Sequence, residues 1–131
     1  MPTIFTKILS GEIPCHKIAE NEKYLAFLDI RPINPGHTLV IPKKEVDYLF
    51  DIEDELLAGL FTYSKKVATA IRKAIPCKKI GVLVYGLEVP HAHVHLVPVH
   101  GVPGEFTFAK AKPTPNEELA LVAEKIKREF R

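Results

Sequence analysis

The spacing of apolar positions along this chain changes repeatedly, and each change marks an element. Residues 3–9 read as a short helical turn that Ser10-Gly11 stops. Residues 16–20 and 23–29 read as two strands around the turn Glu20-Asn21-Glu22. Arg31-Pro32-Ile33-Asn34-Pro35-Gly36 is a loop punctuated by two prolines and a glycine, and His37 to Pro42 is a third strand. The period then lengthens. Leu56, Leu57, Leu60, Phe61, Ser64, Val67, Ala68, Ile71 and Ile75 recur at helical spacing until Pro76 ends the run. Asp51 is the expected N-cap, with the helix starting near Ile52 and Glu53, Asp54 and Glu55 in its first turn. A helix of about twenty residues, roughly 30 Å long, with one broad apolar stripe must pack on a sheet. Residues 79–85 return to strand, Gly86 to Pro90 make a tight approach, and 92–99 form another strand. Thr114-Pro115-Asn116-Glu117 reads as a capping box with proline at the first helical position. The last helix carries its stripe on Leu119, Val122, Ala123, Ile126 and Phe130.

Strands before and after one long helix predict an α+β fold: an antiparallel sheet of about five strands with helices on one face. At 131 residues the chain is expected to form a single domain over 1–131, burying about two-thirds of its unfolded surface. With 47% apolar and 26% charged residues, it has the ordinary balance of a soluble protein. A net charge of +2, with its lysines dispersed in pairs, gives no reason to expect nucleic-acid or membrane binding. No apolar run approaches the ~20 residues of a membrane span, and no signal peptide is visible. Cys15 and Cys77 stand in no metal or redox spacing, so a reduced, cytoplasmic protein is expected.

One strip departs from ordinary patterning. His91-Ala92-His93-Val94-His95-Leu96-Val97 holds three of the six histidines, alternating with apolar residues. Period-two alternation puts the three imidazoles on one face of a strand and Ala92, Val94 and Leu96 on the core face. A plain core strand is the weakest reading, because each buried histidine needs a polar partner. Two chemistries fit the strip alone. Histidines two apart can supply metal ligands, or a neutral imidazole can attack phosphorus while its neighbours stabilise the developing charge.

The strip, with its pattern His-φ-His-φ-His-φ-φ, resembles the signature of the histidine triad (HIT) family of nucleotide hydrolases and transferases. The similarity extends from residue 3 to about 100, with residues 101–131 as a C-terminal extension and helix. Ile4-Phe5-Thr6-Lys7-Ile8-Leu9-Ser10-Gly11-Glu12-Ile13-Pro14 is similar to the N-terminal segment of the Hint-like branch (histidine triad nucleotide-binding proteins). Leu25 to Ile30 and Gly36 to Lys43 are similar to its two central strands. The resemblance implies the HIT-like fold and a homodimer in which two sheets become continuous. It also implies a purine nucleotide substrate and no cofactor. His93 is implied as the nucleophile on the α-phosphorus, and His95 as a donor to a non-bridging oxygen. His91 and His37 are implied as supports. Asp29, eight residues before His37, is implied as the ribose ligand, with Phe5, Ile8, Phe27 and Ile30 around the base.

The chain also departs from that pattern. Before the triad the family usually reads Gly-Gln-Ser/Thr-Val-x-His, whereas here the residues are Gly86-Leu87-Glu88-Val89-Pro90-His91. Leu87 replaces a phosphate-binding glutamine, and Glu88 replaces a hydroxyl on the leaving-group side. A carboxylate beside phosphate is repulsive unless protonated or paired. Glu88 therefore acts as a general acid or selects a cationic leaving group, or else faces solvent or a partner chain. The usual Asn-x-Gly upstream is missing, and the 101–112 segment has no interpretable motif. The cysteine pair and histidine of the family's zinc-bearing members correspond here to Thr3, Thr6 and Glu45, a poor zinc set. The expected function is a purine nucleoside phosphoramidase. Dinucleoside polyphosphate hydrolysis, nucleotidyl transfer, a low-turnover nucleotide-binding regulator and a metal-binding protein are the alternatives.

Overall fold

In the computed structural model, which describes residues 3–130, the order is α1 (Ile4–Leu9), β1 (Lys17–Glu20), β2 (Tyr24–Leu28), β3 (Thr38–Pro42), α2 (Asp54–Ala74), β4 (Lys79–Leu83), β5 (Val94–Val99) and α3 (Asn116–Glu129). The five strands form one antiparallel sheet in the order β1-β2-β3-β5-β4. Alternation sorts their side chains between two layers. Tyr24, Ala26, Leu28, Val40, Val94 and Leu96 face α2 and α3 in the main core. Leu25, Phe27, Leu39 and Ile41 face the other way and pack with Phe5 of α1. The expected single helical face therefore holds for α2 and α3 only; α1 covers part of the opposite face.

Several boundaries differ from the sequence reading. Asp51 lies in a 3-10 turn (Leu49–Asp51), and Ile52 is extended and buried, so α2 starts at Asp54 with Glu53 as N-cap. Burying Ile52 breaks the helical path that Asp51 would have capped. In α2 the buried face is Leu60, Tyr63, Ser64, Val67, Ala70 and Ile71, whereas Phe61 is exposed. Pro115, not Thr114, is the N-cap of α3, and it makes no side-chain cap. The Thr114 N–H instead donates to the Ile30 carbonyl (3.1 Å), joining the start of α3 to the loop after β2. β5 begins at Val94, because the Ala92 N–H pairs with the Val46 carbonyl (2.7 Å) outside the sheet ladder. β4 ends at Leu83 rather than at residue 85.

Two glycines matter to the architecture. Gly36 has φ +97°, and a Cβ there would stand 3.0 Å from Pro98 Cγ and 3.1 Å from Ile75 Cγ1. This turn delivers the chain into His37 and β3 against the packed core. Gly59, inside α2, lets the buried Tyr24 hydroxyl donate to the Leu56 carbonyl (2.9 Å); a Cβ at 59 would lie 2.0 Å from that oxygen. Gly59→Ala should lower stability by about 1–3 kcal/mol through overpacking, despite better helix propensity. Denaturant unfolding should show much of that loss recovered in the Tyr24→Phe/Gly59→Ala double variant.

Candidate active site

The histidines occupy the α1 face of the sheet, as period-two alternation requires. His95 lies in β5 opposite Leu39 of β3 and Leu83 of β4, while His91 and His93 lie on the extended approach to it. Phe5 of α1 meets His91 and His93 edge-on, with ring centroids 5.7 and 5.0 Å away. His37, immediately before β3, completes a buried set of four.

Their hydrogen bonds assign a tautomer to each ring. His93 Nδ1 lies 2.8 Å from the His91 carbonyl, which can only accept, so Nδ1 bears the proton and Nε2 keeps its lone pair. The same argument puts the His91 proton on Nε2, 2.8 Å from the Pro42 carbonyl. The Ile33 N–H donates to His37 Nδ1 (3.0 Å), so His37 carries its proton on Nε2 and donates to His95 Nδ1 (2.9 Å). His95 is then protonated on Nε2, leaving a free N–H donor. This chain of assignments needs neutral rings, and burial favours the neutral form at His37, His91 and His95. It depresses His37 to about 4; burial, with His93 and His37 as neighbours, depresses His95 to about 3. Burial also lowers His91 against the pull of the Pro42 carbonyl. His91 Nδ1 is buried without a hydrogen-bond partner, so a second proton there would have no acceptor.

Asp29 stands where β2 ends. Its Oδ1 accepts the Arg31 N–H (2.9 Å), and Oδ2 approaches His37 Nε2 to 3.7 Å, no ion pair while His37 is neutral. Burial raises its carboxyl, opposed by the Arg31 N–H and by His93.

Two cavities meet at these residues. One, of about 210 Å³, is walled mainly by apolar groups: Phe5, Ile8, Ile13, Phe27, Ile30, Leu39 and Val89 among them. The other, of about 230 Å³, is more polar, with Arg31, Tyr85 and Phe108 in its wall. Asp29, Glu88, His93 and His95 border both. Phe5, Ile8, Phe27 and Ile30 are thus brought together with Asp29 and the histidines. Phe5 and Phe27 are core residues as well, while Ile30 is 59% exposed. Leu87 is not brought in. It is 79% exposed and lines a neighbouring surface hollow with Tyr48, Phe50 and Tyr85, of which only Tyr85 also borders the polar cavity.

Sequence reasoning missed Ile4, Cys15 and Leu39 in the apolar wall, and Phe108, whose ring stands edge-on to His95 at 5.1 Å. Leu39 could have been found from its register, directly across from His95. Phe108 gives no local signal, because only the return of the 101–112 segment brings it close.

Among the described residues, one group of metal-ligating side chains has its donor atoms within 4.8 Å: Asp29, His37 and His95. Two of those donors already share the His37–His95 hydrogen bond, and the three triad imidazoles form no such group. Thr3, Thr6 and Glu45 do converge. Thr6 Oγ1 donates to Glu45 Oε1 (2.5 Å), and Thr3 and Thr6 form the capping box of α1. These hydroxyls and a single carboxylate do not suit zinc.

A HIT domain model matches residues 10–102. The adenosine 5′-monophosphoramidase of Schizosaccharomyces pombe is 39% identical over 121 residues, spanning 92% of this chain and 80% of that protein. A HIT-like protein from Bartonella henselae, solved by crystallography, superposes with a TM-score of 0.86 at 34% identity, covering 97% and 95% of the two chains. A histidine triad nucleotide-binding protein from Sulfolobus tokodaii gives 0.88 at 30% identity, covering 97% and 91%. The fold and the buried histidine cluster define a HIT-type protein, and this chain belongs to the HIT family.

The depressed histidines have a consequence for stability. The unfolded chain protonates them near pH 6.5, whereas the folded chain resists down to about 4 for His37 and about 3 for His95. Stability is therefore full above pH 6.5 and falls as pH drops below it, by at most about 1.4 kcal/mol per pH unit for each histidine. Asp29, raised in the fold, acts in the opposite sense as pH falls through its own titration. Denaturant midpoints should drop between pH 7.5 and 5.5, and less steeply in His37→Asn.

Proposed function

We propose that this protein is a purine nucleoside phosphoramidase. The observation that carries the reading is the His93 Nδ1–H bond to the His91 carbonyl, which leaves the lone pair of Nε2 for attack. In the proposed reaction His93 Nε2 bonds to the α-phosphorus, and the phosphorus–nitrogen bond to the leaving amine breaks. The leaving nitrogen takes a proton from solvent as it departs, and the attacking water of the second step returns one. Water then cleaves the nucleotidyl-histidine bond, releasing the nucleoside monophosphate and restoring neutral His93. His95 Nε2–H donates to a non-bridging oxygen as charge gathers there. His37 holds that donor by occupying Nδ1 of the same ring, and His91 fixes His93 through its carbonyl. Asp29 takes the ribose hydroxyls, with Phe5, Ile8, Phe27 and Ile30 packing on the base. The similarity to the S. pombe phosphoramidase supports the substrate class. No step requires a metal or organic cofactor.

Glu88 borders both cavities beside His93 and Asp29. Two carboxylates there disfavour an anionic leaving group, which supports an amine over a further phosphate.

A homodimer fits the same reading. Of the two sheet edges, β1 carries the Lys17–Glu20 ion pair, a charged guard against pairing. β4 exposes Val82, and just beyond the strand the exposed Tyr48, Phe50, Tyr85 and Leu87 share one surface hollow with Val84. A second copy pairing along β4 would cover this apolar surface and make one continuous sheet. Sedimentation equilibrium should find a dimer in the native protein and a monomer in Val82→Lys.

Adenosine 5′-phosphoramidate should release AMP with the wild-type protein in the presence of EDTA. His93→Ala should lose at least about 10³-fold in kcat. Glu88→Ser should move the preference toward dinucleoside polyphosphates. No release by wild type, with AMP still bound, would reject the phosphoramidase reading. Loss of activity in EDTA would favour metal chemistry.

A further inference from the structure

Glu105 is buried in the 101–112 segment, where it bonds to the start of its own loop and to Asn34, 71 residues earlier. A buried carboxylate is unfavourable unless its oxygens are bonded. These are: Oε1 and Oε2 accept the His100 N–H (2.9 Å each), and Oε1 also accepts those of Gly101 (3.1 Å) and Val102 (3.2 Å). Three successive amides thus wrap the carboxylate as an anion nest. Burial would raise this carboxyl, but the amides outweigh it and hold it below the ordinary range.

The remaining bond leaves the segment. Asn34 Nδ2 donates to Glu105 Oε2 (3.0 Å) and to the Pro98 carbonyl at the end of β5 (2.8 Å), while Lys110 Nζ donates to Asn34 Oδ1 (2.9 Å). Asn34 follows Ile33, whose N–H donates to His37 Nδ1, and its own carbonyl accepts the His37 N–H (3.1 Å). On the other side of Glu105 the chain runs to Phe108, edge-on to His95. Both rings of the His37–His95 pair are therefore gripped by segments that meet at one carboxylate.

We propose that Glu105 is a positioning residue of the active site, clamping the 31–36 loop and the 101–112 segment so that Ile33 and Phe108 hold the His37–His95 pair in register. Its role in turnover rests on the phosphoramidase reading; its role in orienting the two rings does not. In Glu105→Gln an amide N–H₂ would face either the backbone amides or the Asn34 donor, so at least one contact becomes donor against donor.

The test compares Glu105→Gln with wild type and with Gly59→Ala, which is destabilised on the opposite face of the sheet. Imidazole ¹⁵N spectra should show single Nε2–H tautomers for His37 and His95 in wild type and in Gly59→Ala, and displaced or mixed signals in Glu105→Gln. With adenosine 5′-phosphoramidate, Glu105→Gln should lower kcat about tenfold, with KM within about twofold. The acid limb of its kcat profile should move to higher pH, because a loosened, wetter pair protonates more easily. If Glu105→Gln does not fold, Lys110→Met loosens the clamp from the exposed side and should give the same shifts at smaller amplitude. Unchanged ¹⁵N signals in a folded variant, or an equal loss of kcat in Gly59→Ala, would overturn the proposal. If wild type itself releases no AMP, the phosphoramidase reading fails, and the spectra still decide whether Glu105 orients the pair.

Discussion

Four imidazoles lie buried together in this sheet, and three of them have a ring proton directed to an acceptor in the protein. That constraint organises the site. Two protons go to backbone carbonyls, of His91 and Pro42, and one goes from His37 to His95. The fourth, on His95, has no acceptor among the described residues, and that ring borders both cavities. A charge on one ring would lose its hydration, and charges on two would stand about 5 Å apart, since His93 and His95 have centroids 4.9 Å apart. Polarity is concentrated here on one face of the strip while Ala92, Val94 and Leu96 join the apolar core on the other.

The two cavities extend this logic into space. Asp29, Glu88, His93 and His95 form their common border, so a ligand reaching His93 Nε2 touches an apolar wall on one side and a charged one on the other. In the proposed reaction the base and the leaving group differ in just this way. The short α1 lies over the apolar side, and the return of residues 101–112 closes the polar side.

Much of this was legible in the sequence because it is local. Alternation in 91–97 correctly assigned the two faces, and helical periodicity located α2 and α3. The HIT resemblance brought His37 and Asp29 to the triad from more than fifty residues away, which no local pattern could do. What escaped depends on tertiary contacts. The burial of Ile52 overrode Asp51 as a cap. The Thr114 amide was taken by Ile30, and Pro115 became the N-cap. Tyr63 and Ala70 joined the buried face in place of Phe61. Glu105 and Phe108 sit in a proline- and glycine-rich segment without periodicity, so their meaning comes only from where that segment returns. Leu87 illustrates the reverse: adjacent to the triad in sequence, it faces a different surface.

Helix α1 has six residues, too few to persist as a helix without help. Its order comes from the Thr3–Thr6 capping box, the Thr6–Glu45 bond and the seating of Phe5 among Phe27, His91 and His93. Phe5 and Ile8 are also part of the wall of the apolar cavity. A ligand packed on that wall and the fastening of the helix therefore stabilise the same state, and each reports on the other. For such a ligand, apparent affinity would scale with the fraction of molecules whose helix is seated. Glu45 does not line the cavity, so a change there would act on a ligand seated on that wall only through the fastening of the helix.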